Sequence, residues 1–214
     1  MTTPSHAVLE ALDATGLVAV VRAESTNGLI ESIASLERGG ISLFEITLTV
    51  PGALKLIADL KRSCKPDTFI GAGTVLDAKS AKRAVAAGAD FIVSPAVSHD
   101  TIEFCHRSNV LAVPGCLTPT EIAAVLRAGA ELIKLFPGRV ATPGYLRDVL
   151  GPFPSARFLP TGNVDLASTE AYIAAGAAGV GVGKALFAAR GEAELVANAA
   201  AFRQAVARSR ASQK

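Results

Sequence analysis

Cysteine and histidine are scarce in this chain of 214 residues, at three of each. Cys64, Cys105 and Cys116 are odd in number and lack a CxxC spacing, so reduced thiols in the cytoplasm are expected rather than a disulfide framework. His6, His99 and His106 do not have the spacing of a metal site, and they are expected at the surface or behind the residues of a site rather than as ligands. Long apolar runs are missing as well. The segment around Leu17–Val21 is too short to span a bilayer, and Glu10 and Asp13 precede it where a secretory leader would carry positive charge. No block of one charge sign, coiled-coil heptad or low-complexity stretch occurs. The net charge is +2 and the basic residues are dispersed, which argues against a nucleic-acid partner.

What is present is apolar and regularly punctuated. Half of the residues (50%) are hydrophobic and 19% are charged, with a mean hydropathy of +0.39. That composition suits one large domain over residues 1–214. Short β-rich runs fall at Leu17–Arg22, Leu43–Leu48, Thr68–Gly71, Phe91–Ser94, Leu111–Pro114, Leu132–Phe136, Arg157–Pro160 and Gly179–Val182. Helical patterns separate them, as at Leu29–Arg38, Ala78–Ala87, Glu121–Ala128 and Leu166–Ala175. Ser5–Ala14 is expected as a helix ahead of the first strand, and Ala193–Arg210 as the last helix. Gly39, Gly88, Gly129 and Gly176 each stand between a helical pattern and a strand, the place of a C′ glycine.

This alternation predicts an α/β protein, a closed (β/α)8 TIM barrel with an N-terminal helix. A doubly wound sheet is the competing fold, but it carries a Gly-rich first turn. The first strand here runs instead into Arg22-Ala23-Glu24-Ser25.

Strand alternation then singles out two charged residues. Phe44, Ile46 and Leu48 form a set suited to the helix layer, which turns Glu45 and Thr47 inward. By the same rule Ile133 and Leu135 face the helices and Lys134 faces the interior. Buried ion pairs are weak sources of stability. One placed at the mouth of a barrel points to catalysis. Burial favours the neutral form of an amine, and the neutral amine attacks carbonyls.

The motifs V-A-V-V-R (Val18–Arg22), E-I-T-L-T-V-P (Glu45–Pro51), I-G-A-G-T-V (Ile70–Val75), F-I-V-S-P (Phe91–Pro95), P-G-C-L-T-P-T-E (Pro114–Glu121), K-L-F-P-G (Lys134–Gly138), G-P-F-P (Gly151–Pro154) and P-T-G-N (Pro160–Asn163) stand in order along the chain. Through them it resembles the 2-keto-3-deoxy-6-phosphogluconate (KDPG) aldolase family, which includes 4-hydroxy-2-oxoglutarate (KHG) aldolases. The resemblance implies a class I aldolase that cleaves KDPG to pyruvate and glyceraldehyde 3-phosphate. The alternatives are KHG or a 2-keto-3-deoxy sugar acid as substrate. It further implies Lys134 as the Schiff-base lysine and Glu45 as the general acid/base. Thr74, Pro95 and Phe136 would line the pyruvate pocket, with Arg22 and Thr47 nearby. A cytoplasmic homotrimer without metal or organic cofactor is implied too.

Some motif residues have structural work instead. Thr118-Pro119-Thr120-Glu121 has the form of a capping box with proline at the first helical position. Gly71 and Gly73 are expected to allow a tight turn, and Pro137, Pro143, Pro152 and Pro154 to shape a loop after the sixth strand.

For the far end of the substrate, barrels commonly bind anions in the loops after strands seven and eight, helped by an extra helix N-terminus. Thr161, Gly162 and Asn163 occupy the first of these loops, and Gly181-Val182-Gly183-Lys184 is expected in the second. Against the family pattern, Asn163 replaces a usual Gly, Lys184 replaces Ser or another small residue, and Thr142-Pro143 stands where Gly-Pro is common. Thr49 takes the place of a carboxylate-binding arginine found in one branch, while another branch has a similar T-V-P run. The competing functions are a barrel isomerase, epimerase or decarboxylase without a covalent intermediate, a metal-dependent aldolase, and a non-catalytic binding barrel.

Overall fold

The computed structural model describes residues 3–189 and 191–213. Its first helix, α1 (Pro4–Thr15), starts at a proline behind a Thr3 cap and ends at Gly16, whose φ of 67° is left-handed. Strands and helices then alternate: β1 (Leu17–Val21), α2 (Leu29–Arg38), β2 (Leu43–Thr47), α3 (Ala53–Ser63), β3 (Phe69–Gly73), α4 (Ala78–Ala86), β4 (Phe91–Val93), α5 (His99–Arg107) and β5 (Leu111–Val113). A two-residue strand β6 (Gly115–Cys116) follows directly. Then come α6 (Pro119–Arg127), β7 (Ile133–Leu135), α7 (Pro143–Leu150), β8 (Phe158–Pro160), α8 (Leu166–Ala174), β9 (Val180–Val182) and α9 (Glu192–Ala211).

Every expected strand position is occupied, but the strands form two parallel sheets. A curled sheet of six runs β5-β4-β3-β2-β1-β9, and a sheet of three runs β6-β7-β8. The expected closed ladder of eight strands is not what is observed. Pro114 supplies a physical reason at one junction, since it has no N–H to continue a ladder. Val113 O accepts from Ser94 N at 3.2 Å and Pro114 O accepts from Lys134 N at 2.9 Å, so consecutive residues bond just past β4 on one side and to β7 on the other. At the other junction a single parallel bridge joins Thr161 to Gly181.

Alternation along the strands sorts the core into two clusters. Phe44, Ile46, Ile133, Leu135 and Phe158 pack outward against the helices. Val18, Leu43, Phe91, Val113, Leu132 and Leu159 pack inward on one another and on Val8, Leu9 and Leu12 of α1, which covers the N-terminal strand ends. Leu12 is 1% exposed, and truncating such a side chain to Ala costs about 2–5 kcal/mol. This apolar floor leaves the interior at the C-terminal strand ends for polar groups.

The helix ends carry several corrections. Gly88, Gly129 and Gly176 have the left-handed φ expected, but after α2 that role falls to Gly40 (φ 95°), while Gly39 stays right-handed at −73°. Pro143 is not part of a loop: it opens α7 behind a Thr142 cap. Gly71 and Gly73 lie within β3, not in a turn. The Thr118–Glu121 capping box is present with Pro119 at the start of α6. His6, His99 and His106 are all exposed.

Candidate active site

Glu45 and Lys134 come together inside the strand array, above the apolar floor. Glu45 is 1% exposed and Lys134 5%, and Nζ lies 3.4 Å from Oε1. The second carboxylate oxygen, Oε2, is buried without a hydrogen-bond partner among the described residues. Such an oxygen carries a desolvation cost that stability alone does not explain.

Glycine makes the room. A Cβ on Gly73 would fall 2.0 Å from Glu45 Oε1, and one on Gly71 would fall 2.3 Å from the Phe91 ring. Gly115, paired with Lys134 in the β6–β7 register, lets the Pro95 backbone approach; a Cβ there would meet it at 2.4 Å. Pro95 therefore sits beside the lysine strand through its main chain. The Phe136 ring forms a wall, its centroid 5.3 Å from Lys134 Nζ.

A chain of hydrogen bonds with a fixed direction lies next to the pair. Thr47 Oγ1 donates its one proton to Val21 O at 3.0 Å. The 2.9 Å contact between Thr47 and Thr49 hydroxyls must then be a donation from Thr49. Thr49 accepts from Arg22 Nη1 at 3.0 Å, and Thr74 accepts from Arg22 Nη2 at 3.2 Å. The guanidinium is thus aimed by two hydroxyls, and the Thr74 hydroxyl proton has no acceptor among the described residues. Thr74 also holds a left-handed φ of 57°. For a β-branched residue this is strain of about 1–3 kcal/mol, the kind found where a side chain must be presented in one direction. Thr49, noted in the sequence only as a departure from a carboxylate-binding arginine, joins this chain of hydrogen bonds, and the inward series Glu45, Thr47 leads to it by the same alternation.

The chain matches the family model for KDPG and KHG aldolase over residues 8–199. The chain belongs to this aldolase family. Among relatives, it is 35% identical over 159 residues to a Pseudomonas aeruginosa 2-dehydro-3-deoxy-phosphogluconate aldolase, covering 74% of this chain and 72% of that one. It is 33% identical over 168 residues to the Treponema pallidum protein of the same name, covering 78% and 80%. A solved KDPG aldolase from Legionella pneumophila, with pyruvate captured as a covalent carbinolamine, superimposes with a TM-score of 0.78 at 28% identity, over 96% of this chain and 98% of that one. Aldolases of this family are carbon–carbon lyases.

In this member of the family, the residues expected at the far end are less tightly joined. Thr161 is buried and donates to Leu159 O at 3.1 Å, so its hydroxyl serves its own strand. Gly162 has a left-handed φ of 101° and approaches the Phe136 ring. Asn163 is exposed with a left-handed φ of 55°. Gly181 belongs to β9, so only Gly183 and Lys184 lie beyond the strand. They form a turn closed by Leu186 N donating to Gly183 O at 2.9 Å, in place of the extra helix N-terminus expected there. Lys184 is exposed. No hydrogen bond links it to Asn163 among the described residues.

The other reactive side chains are set apart from this chemistry. Burial pushes the thiols of Cys105 and Cys116 up to about 12, and that of Cys64 to about 11. No group of three or more His, Cys, Asp or Glu that could hold a metal ion occurs among the described residues. No helix among them is long and apolar enough to cross a membrane.

Proposed function

We propose that this protein is a class I aldolase that cleaves 2-keto-3-deoxy-6-phosphogluconate to pyruvate and glyceraldehyde 3-phosphate through a Schiff base on Lys134. The observation that carries this reading is the buried Lys134–Glu45 pair with its unpartnered carboxylate oxygen. Proton transfer from Nζ toward Glu45 frees the nitrogen lone pair, which adds to C2 of the keto acid. The carbonyl oxygen takes up a proton, and the carbinolamine loses water to give the iminium. Glu45, directly or through a water, removes the C4 hydroxyl proton. The C3–C4 bond breaks, its electrons pass to the iminium as an enamine, and the aldehyde departs. Protonation of C3 by Glu45 and addition of water at C2 release pyruvate and restore the lysine. The covalent route divides one hard step into easier ones, and a positioned acid/base contributes about 10²–10⁴-fold.

Arg22 and Thr74 are suited to the substrate carboxylate, the first as a bidentate charged donor and the second through its unspent proton. Phe136 and the Pro95 backbone fit the flat pyruvate moiety. Thr161, Gly162, Asn163, Gly183 and Lys184 are proposed at the opposite, phosphate-bearing end. The two sheets, adjoining at Pro114 and at the Thr161–Gly181 bridge, support a (β/α)8 barrel with α1 under its floor. The same reading includes a cytoplasmic homotrimer acting on a free small molecule. Steady-state assay of pyruvate release from KDPG tests the activity: turnover abolished by Lys134→Ala supports it, and activity within tenfold of the parent overturns it.

A further inference from the structure

Arg139 was not among the residues marked by the sequence, yet it is held in a particular place. It follows Gly138 in the loop after β7, and Gly138 N donates to Thr161 O at 2.7 Å, tying that loop to the one after β8. A Cβ on Gly138 would meet Gly162 O at 2.4 Å, so the two backbones touch. From the other side the Tyr172 hydroxyl of α8 lies 2.8 Å from Gly138 O and 3.0 Å from Ala141 O. The backbone beneath Arg139 is therefore fixed on two sides. With the Asn163 amide turned so that its oxygen faces the guanidinium, Asn163 accepts from Arg139 Nε at 2.9 Å and from Nη2 at 3.1 Å.

The pair lies at the end of a short path from the lysine. Lys134 Nζ faces the Phe136 ring, the ring borders Gly162, and Asn163 is next in the chain. Both Arg139 and Asn163 are exposed, and Arg139 forms no ion pair among the described residues. A neutral acceptor orients a guanidinium without neutralising it, and Nη1 stays free to donate.

We propose that Arg139, oriented by Asn163, is the specificity-determining charge that reads an anionic terminus on the aldehyde half of the substrate. This rests on the aldolase reading above. Phosphate and carboxylate termini share the chemistry that a guanidinium recognises, and substrates bearing each separate the two. Asn163 is a positioning residue: its left-handed backbone is one that Asn tolerates, and its side chain aims the arginine.

The test compares the parent with Arg139→Gln and Asn163→Gly, the latter keeping the backbone conformation. Pyruvate release is measured from KDPG, its unphosphorylated form and KHG, and glycerol 3-phosphate and glycerol are titrated calorimetrically. Arg139→Gln is expected to lower the kcat/KM ratio of phosphorylated over unphosphorylated substrate by about tenfold or more, through KM. Asn163→Gly should move the ratio the same way by less. A parallel loss on KHG would extend the role to carboxylate termini. The calorimetric arm needs no turnover: weaker glycerol 3-phosphate binding in Arg139→Gln supports the proposal even if KDPG is not cleaved. An unchanged ratio, unaltered KHG cleavage and equal glycerol 3-phosphate affinity in parent and Arg139→Gln together overturn it.

Discussion

Glu45 Oε1 lies 3.4 Å from Lys134 Nζ, while Oε2 of the same carboxylate is buried with no hydrogen-bond partner among the described residues. A structural ion pair would satisfy both oxygens, because an unmet buried acceptor costs about 1–3 kcal/mol. Here one oxygen faces the lysine and the other has no such partner, as the proposed proton transfer requires. Replacing Glu45 by Gln keeps the shape and removes the proposed base. Pyruvate formation from KDPG should fall by about 10²–10⁴-fold in kcat, with the circular dichroism spectrum unchanged. A loss smaller than tenfold would deny Glu45 its part in proton transfer.

Gly73 supports that carboxylate by having no side chain. A Cβ at this position would lie 2.0 Å from Oε1, so Gly73→Ala must displace Glu45. The expected outcome is a drop in kcat greater than the drop in stability measured by thermal melting. A fully active Gly73→Ala protein would mean that the carboxylate can work from elsewhere.

Thr49 links Arg22 to Thr47 through donors and acceptors of fixed direction. Thr49→Val breaks both contacts at constant shape and leaves Arg22 with Thr74 alone. Losing a hydrogen bond to a charged group costs about 1.5–3 kcal/mol, so KM should rise by about tenfold or more while kcat changes little. Thr49→Ser should restore binding. A Val variant with unaltered KM would remove the relay from substrate recognition.

The inward positions of Glu45, Thr47 and Lys134 were legible because alternation needs only local sequence. Thr49 was reachable by extending that series one step, past the end of β2. Arg139 was not, because its place depends on two loops touching at Gly138 and Gly162, a contact between segments far apart in sequence. The break at Pro114 was also hidden. Pro114 interrupts the series of N–H donors in a run that read as one continuous strand. At Pro143, a residue expected in a loop instead begins a helix, since proline suits both and the Thr142 cap decides between them.

The capping box of α6 gives a prediction in stability and pH. Glu121 accepts from the backbone N–H of Thr118 at 2.8 Å and of Leu117 at 3.0 Å, and these bonds hold its carboxyl below the unperturbed value of 4.5. A lowered folded-state value means the contribution is present above 4.5 and is lost as pH falls through the folded value. Thr118→Ala should cost about 0.5–2 kcal/mol at neutral pH. Glu121→Gln should destabilise at neutral pH, and its difference from the parent should shrink as the solution is acidified below 4.5. Urea melts across this range measure both; a difference that grows on acidification would contradict the assigned bonds.

Lys134 bears the central claim, and one experiment addresses it directly. The protein is incubated with pyruvate and sodium borohydride, digested, and mapped by mass spectrometry. Schiff-base chemistry predicts a reduced pyruvate adduct on Lys134, and no adduct in Lys134→Ala. A folded parent protein that shows no adduct on Lys134, or carries it on another lysine, would contradict it.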